Sequence, residues 1–532
     1  MKRELMMGII VTIIGLLGGT PSLSIAQKNG GTLHAVLRDN PPSASIQEET
    51  TSSTLVPFMP VFNNLVVFDQ LARVSEPANI KPDLADSWRW TDGGKRLTFE
   101  LHAGVKWHDG VPFTSADVKC TWDTIRGVRD AGWRKNPRKP WYSNLEDVVA
   151  DGDLSVTFVL KRPQPSFLSF LASGFSPVYP CHVDGQTMRS HPIGTGPFKL
   201  AEYRRNQIVR LVRNPDYFKK GKPYLDEIDY RLIANSGTRL LAFVSQRTDI
   251  TYPDINPDDE KNIRLQQPAA ICDLAPAFNV GQLIYNPSDV TLRNPQLRKA
   301  IALAIDRKSL ATVVSKGRAA ATGVMMVPPE GAWGLSGEQI KSAPGFAPDV
   351  EANRREAQAL MKQLGYGSDR HLSLSMMVVN RTGHITPATL LADQLRRIYI
   401  DVTLDPVDIG VWTQRETRRA DYQLKMWSSA PALDDPDAIL LEQLSCRSSR
   451  NYSDYCDPVT QAMIEKQSAT ADPQRRKELV NAIDLRVAEQ GARPVLYTSY
   501  TGFCRYPFVH GAIRATNSLY NTYRYEDVWL GR

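Results

Sequence analysis

The stretch PIGTGPFKLAEYRRNQIVRLVRNPDYFKKGKPYLDEIDYRLIANSGTRLLAFVSQRTDI, Pro192 to Ile250, decides the fold. It reads as strand, hairpin, strand, loop, strand, helix and strand. Gly194, Gly196 and Pro197 punctuate a turn, after which Phe198 to Tyr203 alternates between two faces. Ile208 to Val212 is a second strand, stopped by Asn214-Pro215. Ile228, Tyr230 and Leu232 then alternate against Asp229 and Arg231, the period-two signature of a half-buried strand. Asn235 or Ser236 caps a helix whose apolar side carries Leu240, Leu241, Phe243 and Val244.

Upstream, residues 82–125 read PDLADSWRWTDGGKRLTFELHAGVKWHDGVPFTSADVKCTWDTI. Trp88 and Trp90 alternate in one strand, Asp92-Gly93-Gly94 turns the chain, and Leu97, Phe99 and Leu101 alternate in the next. Thr114 or Ser115 caps a helix with Asp117 in its first turn.

Together these two stretches resemble the family 5 substrate-binding proteins of ABC importers, the extracytoplasmic receptors for peptides, oligopeptides and nickel. The carrying motifs are the turn GTGPF at 194–198, RNPDY at 213–217, Asp249-Ile250 after a helix, and GVKWHDGVPFTSADV at 104–118. One departure is visible. Gln246 stands where the family often has a helix-ending Gly, so the helix should end without a glycine cap at that position.

The rest of the chain fits an α/β protein with crossover connections. Gly31 to Leu37 is a first strand that must pair with a distant one. Residues 145–180 give a strand pair with a turn at Asp151-Gly152-Asp153, then a short helix in PQPSFLSFLA. Further on, Leu283 to Asn286 is a strand, Asn294 to Ser309 one amphipathic helix, and Asp349 to Tyr366 another. Leu372 to Val379, Val402 to Val407 and Tyr422 to Trp427 are strands. Helices follow over Pro387 to Ile398, Asp408 to Arg419, and roughly 457–468 and 473–490. The resemblance implies a two-lobed periplasmic-binding-protein fold of type II character with an additional inserted domain, three domains in all. The boundaries expected are 1–26 for a signal peptide; 27–60, 185–280 and 495–532 for the discontinuous main domain of lobe I; 61–184 for its inserted domain; and 281–494 for lobe II.

Composition excludes more than it identifies. A formal charge of +7 over 532 residues, with 42% apolar content, describes an ordinary globular protein rather than a nucleic-acid binder. The densest basic cluster, RKNPRK at Arg134 to Lys139, reads as a solvated loop, with an acidic partner surface as the alternative. Lys2-Arg3, the apolar run Met6 to Leu17 and the small residues of Ser24-Ile25-Ala26 spell a secretory signal cleaved after Ala26, placing the mature protein in the periplasm. The apolar run is well short of the ~20 residues that span a bilayer.

Six cysteines suit an oxidising compartment. Cys446 and Cys456, ten positions apart in the polar loop SCRSSRNYSDYC, are the best pair, and dipeptide receptors of the family carry the same paired arrangement. Cys120, Cys181, Cys272 and Cys504 read as buried thiols with room for one further bridge. A zinc site lacks a second Cys or His pair at ligand spacing.

No HExxH, Walker loop, GxSxG elbow or CxxC is present. His108-Asp109 resembles a catalytic pair, but no nucleophile accompanies it and it reads as a structural corner. Neither catalysis nor a cofactor is expected. What the resemblance implies instead is a cleft that closes on a ligand, with crossings near residues 280 and 495 as hinges. Arg381 lies where dipeptide receptors hold the ligand carboxylate. Trp427 matches a family Trp whose third following residue is the amine-binding Asp, but this chain has Ala430 there. Asp434 or Asp435 is then the candidate substitute, unless DDPD is only a helix-capping run. Trp333, at the end of VPPEGAW, and Asn286 are further candidate wall residues. The expected function is the receptor of an ABC importer, monomeric, taking a peptide-like solute to a membrane permease and its ATPase. Opines, oligosaccharides and nickel chelates are the alternative ligands. A secreted hydrolase and a non-transport sensor are the alternative classes.

Overall fold

A computed structural model describes residues 27–316, 332–446 and 448–532. The expected signal peptide and most of the VPPEGAW loop therefore lie outside the described residues.

The opening stretch forms most of a four-stranded sheet. Its order is Thr32–Leu37, Glu227–Leu232, Ile208–Arg213, Phe198–Arg204. The first strand pairs in parallel with Glu227–Leu232, almost two hundred residues away in sequence, while the other pairs are antiparallel. The glycines of GTGPF are there for close approach rather than unusual torsions. A Cβ on Gly194 would stand 1.9 Å from the Val61 carbonyl oxygen, and one on Gly196 2.5 Å from that of Pro60. Gly196 N–H instead donates to Val61 O at 3.0 Å. The helix Ser236–Val244 is capped by Asn235, whose side chain accepts from Thr238 N–H. Gln246 takes the left-handed conformation (φ 59°) that glycine usually supplies.

The DGG turn joins two strands of a second antiparallel sheet, ordered Ala85–Thr91, Arg96–Leu101, Ser155–Leu160, Leu145–Ala150. The helix Ser115–Arg126 opens with a full capping box between Thr114 and Asp117 and lays Trp122 edge-on to Phe158 at 5.1 Å. One continuous apolar core joins both sheets. His108 faces the GTGPF turn, not Asp109: its Nδ1 accepts from Gly194 N–H at 3.3 Å and its Nε2 contacts Gly196 O at 3.0 Å. Asp109 pairs with His182 at 2.7 Å.

A third, five-stranded sheet is ordered Ile400–Val407, Leu372–Val379, Leu424–Ser429, Ile271–Tyr285, Val495–Arg505. A separate core, including Leu283, Ile301, Met376, Leu391 and Met426, sits under it. Two long antiparallel strands, Ile271–Tyr285 and Val495–Arg505, run between the two bodies. Near Cys504 this ribbon packs on Phe243; at Leu283 and Leu496 it belongs to the second core. Its register slips between Pro276 and Val280 and again at Gly281/Gln282, the kind of irregularity that bends a strand.

Three sequence expectations need correction. The single helix expected over Asn294 to Ser309 is two, Pro295–Ala304 and Arg307–Val314, because the Asp306 side chain accepts from Ser309 N–H and starts a second helix. The helix expected from Pro387 starts at Thr382, with the proline inside it. The four supposed thiols are paired: Cys120 with Cys181 and Cys272 with Cys504, alongside Cys446 with Cys456, leaving no free cysteine among the described residues. The partners of the first two bridges are 61 and 232 residues apart, a separation that sequence spacing cannot reveal.

Candidate functional site

Trp427 is fixed by the period of its strand. Leu424 and Met426 point into the second core, so Lys425 and Trp427 take the other face. There Trp427 stacks on Trp412 at 4.2 Å, and Trp412 lies on the Lys425 ammonium at 4.9 Å. Lys425 is fully buried; burial pulls its pKa down to about 8, and the Glu416 carboxylate at 2.5 Å keeps it from falling further. An ordered stack thus presents one indole to the gap between the bodies.

That gap is a cavity of about 280 Å³. The first body lines it with Arg38 and Asp39, just past the first strand, with Thr50 to Ser53, and with Tyr252 to Asp254. The second contributes Arg381, His384, Trp427 and Ala430, and Tyr520 and Tyr523 come from the C-terminal tail. Arg381 reaches across to Asp39 at 2.8 Å, and Asp39 also holds Arg38 at 3.0 Å. His384, with its ring centroid 5.9 Å from that of Trp427, is held neutral: burial, then the Arg381 and Arg38 charges, lower its pKa to about 4.

A larger hollow of about 950 Å³ lies between the Leu145–Ala150 region and residues 441–465. It faces charged surface side chains such as Lys135, Lys161 and Glu465 and has no tryptophan in its wall, so the enclosed space at Trp427 is the better candidate for a ligand chamber.

The other expected site residues do not line the chamber. Asp435 caps the helix Pro436–Gln443 and makes a two-pronged pair with Arg476 at 2.7 and 2.9 Å. Asp437 is completely buried, accepting from Ser166 and Ser468. Asp434 receives the backbone N–H of Ala332 at 3.1 Å, and its carbonyl accepts from Trp333 Nε1 at 3.1 Å. Trp333 lies against the Arg476 guanidinium at 4.8 Å. Asn286 donates its side-chain amide to the carbonyls of Tyr422 and Arg419 and is a strand-end clamp. The common cause is helix capping and loop closure: short polar side chains beside a turn satisfy local backbone groups first.

Sequence reading missed Arg38, Asp39, His384 and Tyr252, whose only signal was their position at strand and helix ends facing the gap. It also misplaced part of the RKNPRK cluster. Arg134 pairs with Glu49 at 2.7 Å, and Arg138 is 4% exposed and lines the chamber.

The sequence profile described as "Bacterial extracellular solute-binding proteins, family 5 Middle" matches residues 79–451. The chain belongs to this family. The dipeptide-binding protein of Escherichia coli (strain K12) is 24% identical over 470 residues, 81% of this chain and 82% of that one. Among solved structures, the periplasmic binding protein DppA from Helicobacter pylori in complex with peptide STSA superposes with TM-score 0.81 at 22% identity, covering 95% of this chain and 99% of that one. AgaA of Agrobacterium tumefaciens R10 in complex with agropinic acid gives TM-score 0.79 at 22% identity, covering 94% and 99%. The fold is therefore the two-lobed α/β architecture of periplasmic binding proteins, and the chamber lies between the lobes. Among the described residues no helix is long and apolar enough to cross a membrane.

Proposed function

We propose that this family 5 receptor works outside the cytoplasm, closing on a small peptide-like solute and handing it to the permease and ATPase of an ABC importer. The chain reaches the periplasm through a signal peptide cut after Ala26 and performs no chemistry on its ligand. The observation that carries this reading is the interlobe chamber, walled by Trp427, which is backed by Trp412, and bridged by Arg381 and Asp39. A ligand carboxylate takes the Arg381 fork, since guanidinium matches carboxylate geometry with two donors. Lobe closure follows if the ligand binds the closed form more tightly than the open one. The names of the relatives point the same way: one is a dipeptide-binding protein, and one solved neighbour holds a tetrapeptide.

Ala430 favours a second reading. No carboxylate stands at the position matching the amine-binding Asp, which suits a non-peptide amino-acid derivative, and one neighbour holds agropinic acid.

The test is calorimetric titration and thermal shift of residues 27–532 with di- to pentapeptides, opines, sugars and nickel chelates. Ligand at a hundredfold its Kd adds about 2.7 kcal/mol to native stability. Peptides should raise the midpoint, and Arg381→Ala should abolish the rise. A rise with non-peptides alone would replace the peptide assignment.

A further inference from the structure

We propose that the chamber contains a second anion position, at Arg138, for a carboxylate or phosphate that the ligand carries in addition to the carboxylate taken by Arg381. This rests on the receptor reading above and narrows its substrate class to compounds with two anionic groups.

Arg138 comes from the loop before the short helical turn Lys139–Tyr142, on the first lobe. It is 4% exposed, yet no carboxylate lies within ion-pair distance of it among the described residues. Its guanidinium rests on the Phe175 ring at 3.4 Å, one Nη donates to the Glu49 carbonyl, and Nε has no hydrogen-bond partner. Burying a cation without a counter-charge is costly, and buried charges are normally paired. Burial and Arg450 repulsion, only partly offset by the more distant Glu442 carboxylate, bring the Arg138 pKa down to about 9, which still leaves it charged at neutral pH.

The acids facing the chamber are already engaged. Asp39 holds Arg38 and Arg381, Asp254 holds Arg239 at 2.7 Å, and Glu442 holds Arg450 at 2.6 Å. Four arginines line the space against three carboxylates, and Arg138 is the unmatched one. The segment that carries Ala430 offers no unengaged acid in return: Glu442 is committed to Arg450 and Asp435 to Arg476, and Ala430 itself faces the chamber. An anionic group on the ligand, beside the edge of the guanidinium that lines the chamber, would supply the missing counter-charge. A ligand cation finds no unengaged acid among these three.

The experiment uses isosteric probes on residues 27–532, which carry every described element. Ala-Gln and Ala-Glu differ in one charge; Ala-phosphoserine supplies phosphate; an N-carboxyalkyl amino acid supplies two carboxylates without a peptide bond. Calorimetry should find Ala-Glu or Ala-phosphoserine at least about tenfold tighter than Ala-Gln, and which of them leads tells carboxylate from phosphate. In Arg138→Gln that ratio should collapse to within about twofold, and Arg138→Lys should keep an intermediate ratio. Thermal midpoints within a few degrees of the parent show that the variants are folded. If only the N-carboxyalkyl amino acid binds, and Arg138→Gln weakens it tenfold or more, the anion position stands and the peptide reading falls. Equal affinity for Ala-Gln and Ala-Glu, a ratio that survives Arg138→Gln, or no binding by any anionic probe overturns the proposal.

Discussion

Replacing Asp83 with Asn should destabilise the protein more than any change at its surface. Asp83 and Arg524 are both fully buried and 2.8 Å apart. Lys219 approaches Asp83 at 2.7 Å and Glu526 at 3.0 Å, and Lys222 approaches Glu526 at 3.8 Å, so three cations and two anions share one largely buried network. Asn63 and the Asn64 backbone donate to the Asp83 carboxylate at 2.6 and 2.8 Å. The network ties the C-terminal tail to the start of the second sheet. Asp83→Asn keeps the shape and removes one anion, leaving Glu526 to Lys219 and Lys222 and the buried Arg524 without its paired carboxylate. Breaking a buried pair in this way costs about 3–5 kcal/mol. At about 1 °C per kcal/mol for a chain of this length, the thermal midpoint should drop by about 3–5 °C at pH 7.

The same site fixes an acid limb. Burial would raise the Asp83 pKa, but Arg524 and Lys219 override it and hold the group down to about 2, against an ordinary value of 3.8. Between those values the unfolded chain binds a proton that the folded chain refuses. The carboxylate's contribution is therefore complete above about pH 4 and disappears as pH falls toward 2. The difference is worth about 2 kcal/mol at about 1.4 kcal/mol per pH unit. Calorimetric scans of parent and variant from pH 7 to pH 2 test both statements. A midpoint within about 1 °C of the parent at pH 7, or parallel acid limbs in the two proteins, would refute the reasoning.

Two further predictions concern histidines and bridges. His108 and His384 are each lowered to about 4 by burial, below the ordinary 6.5, so the unfolded state takes up protons first. Stability should fall as pH drops from about 6.5 to 4, by at most about 3 kcal/mol per residue, and a His108→Gln variant should flatten that limb in urea titrations. The loops closed by the three disulfides predict losses of about 5 kcal/mol for Cys272–Cys504, about 4 for Cys120–Cys181 and about 3 for Cys446–Cys456 in the chain-entropy model. Paired Cys→Ser variants compared by denaturant midpoint check the order, and non-reducing peptide mapping checks the pairing; titratable thiols in the native protein would contradict it.

Local pattern carried the sequence reading a long way, and the misses share a cause. The strand-hairpin-strand-helix run of 198–244 is written in alternation and caps, so it is legible residue by residue. The pairing of Cys272 with Cys504 is written only in the register of two strands more than two hundred positions apart. The site divides in the same way. The face that Trp427 turns to the chamber was legible because the period of its strand fixes it. Asp434 and Asp435 were misjudged because an Asp beside a turn looks identical whether it waits for a ligand or caps a helix. Here Asp435 has both the Asp437 N–H to accept and the Arg476 fork to face, and these occupy both of its oxygens.

Arg138 is the converse case, and it shows what sequence charge counting leaves out. In RKNPRK four cations stand within six positions, and a solvated loop is the sound default for such a run. The fold separates them. Arg134 finds Glu49 near the surface, whereas Arg138 turns onto Phe175 and into the space between the lobes. A charge run therefore says little about any one of its members until burial is known. The member whose counter-charge is missing after folding is the one whose presence stability alone does not explain. In a protein whose work is to close on a solute, the partner that such a residue lacks is best sought in the solute.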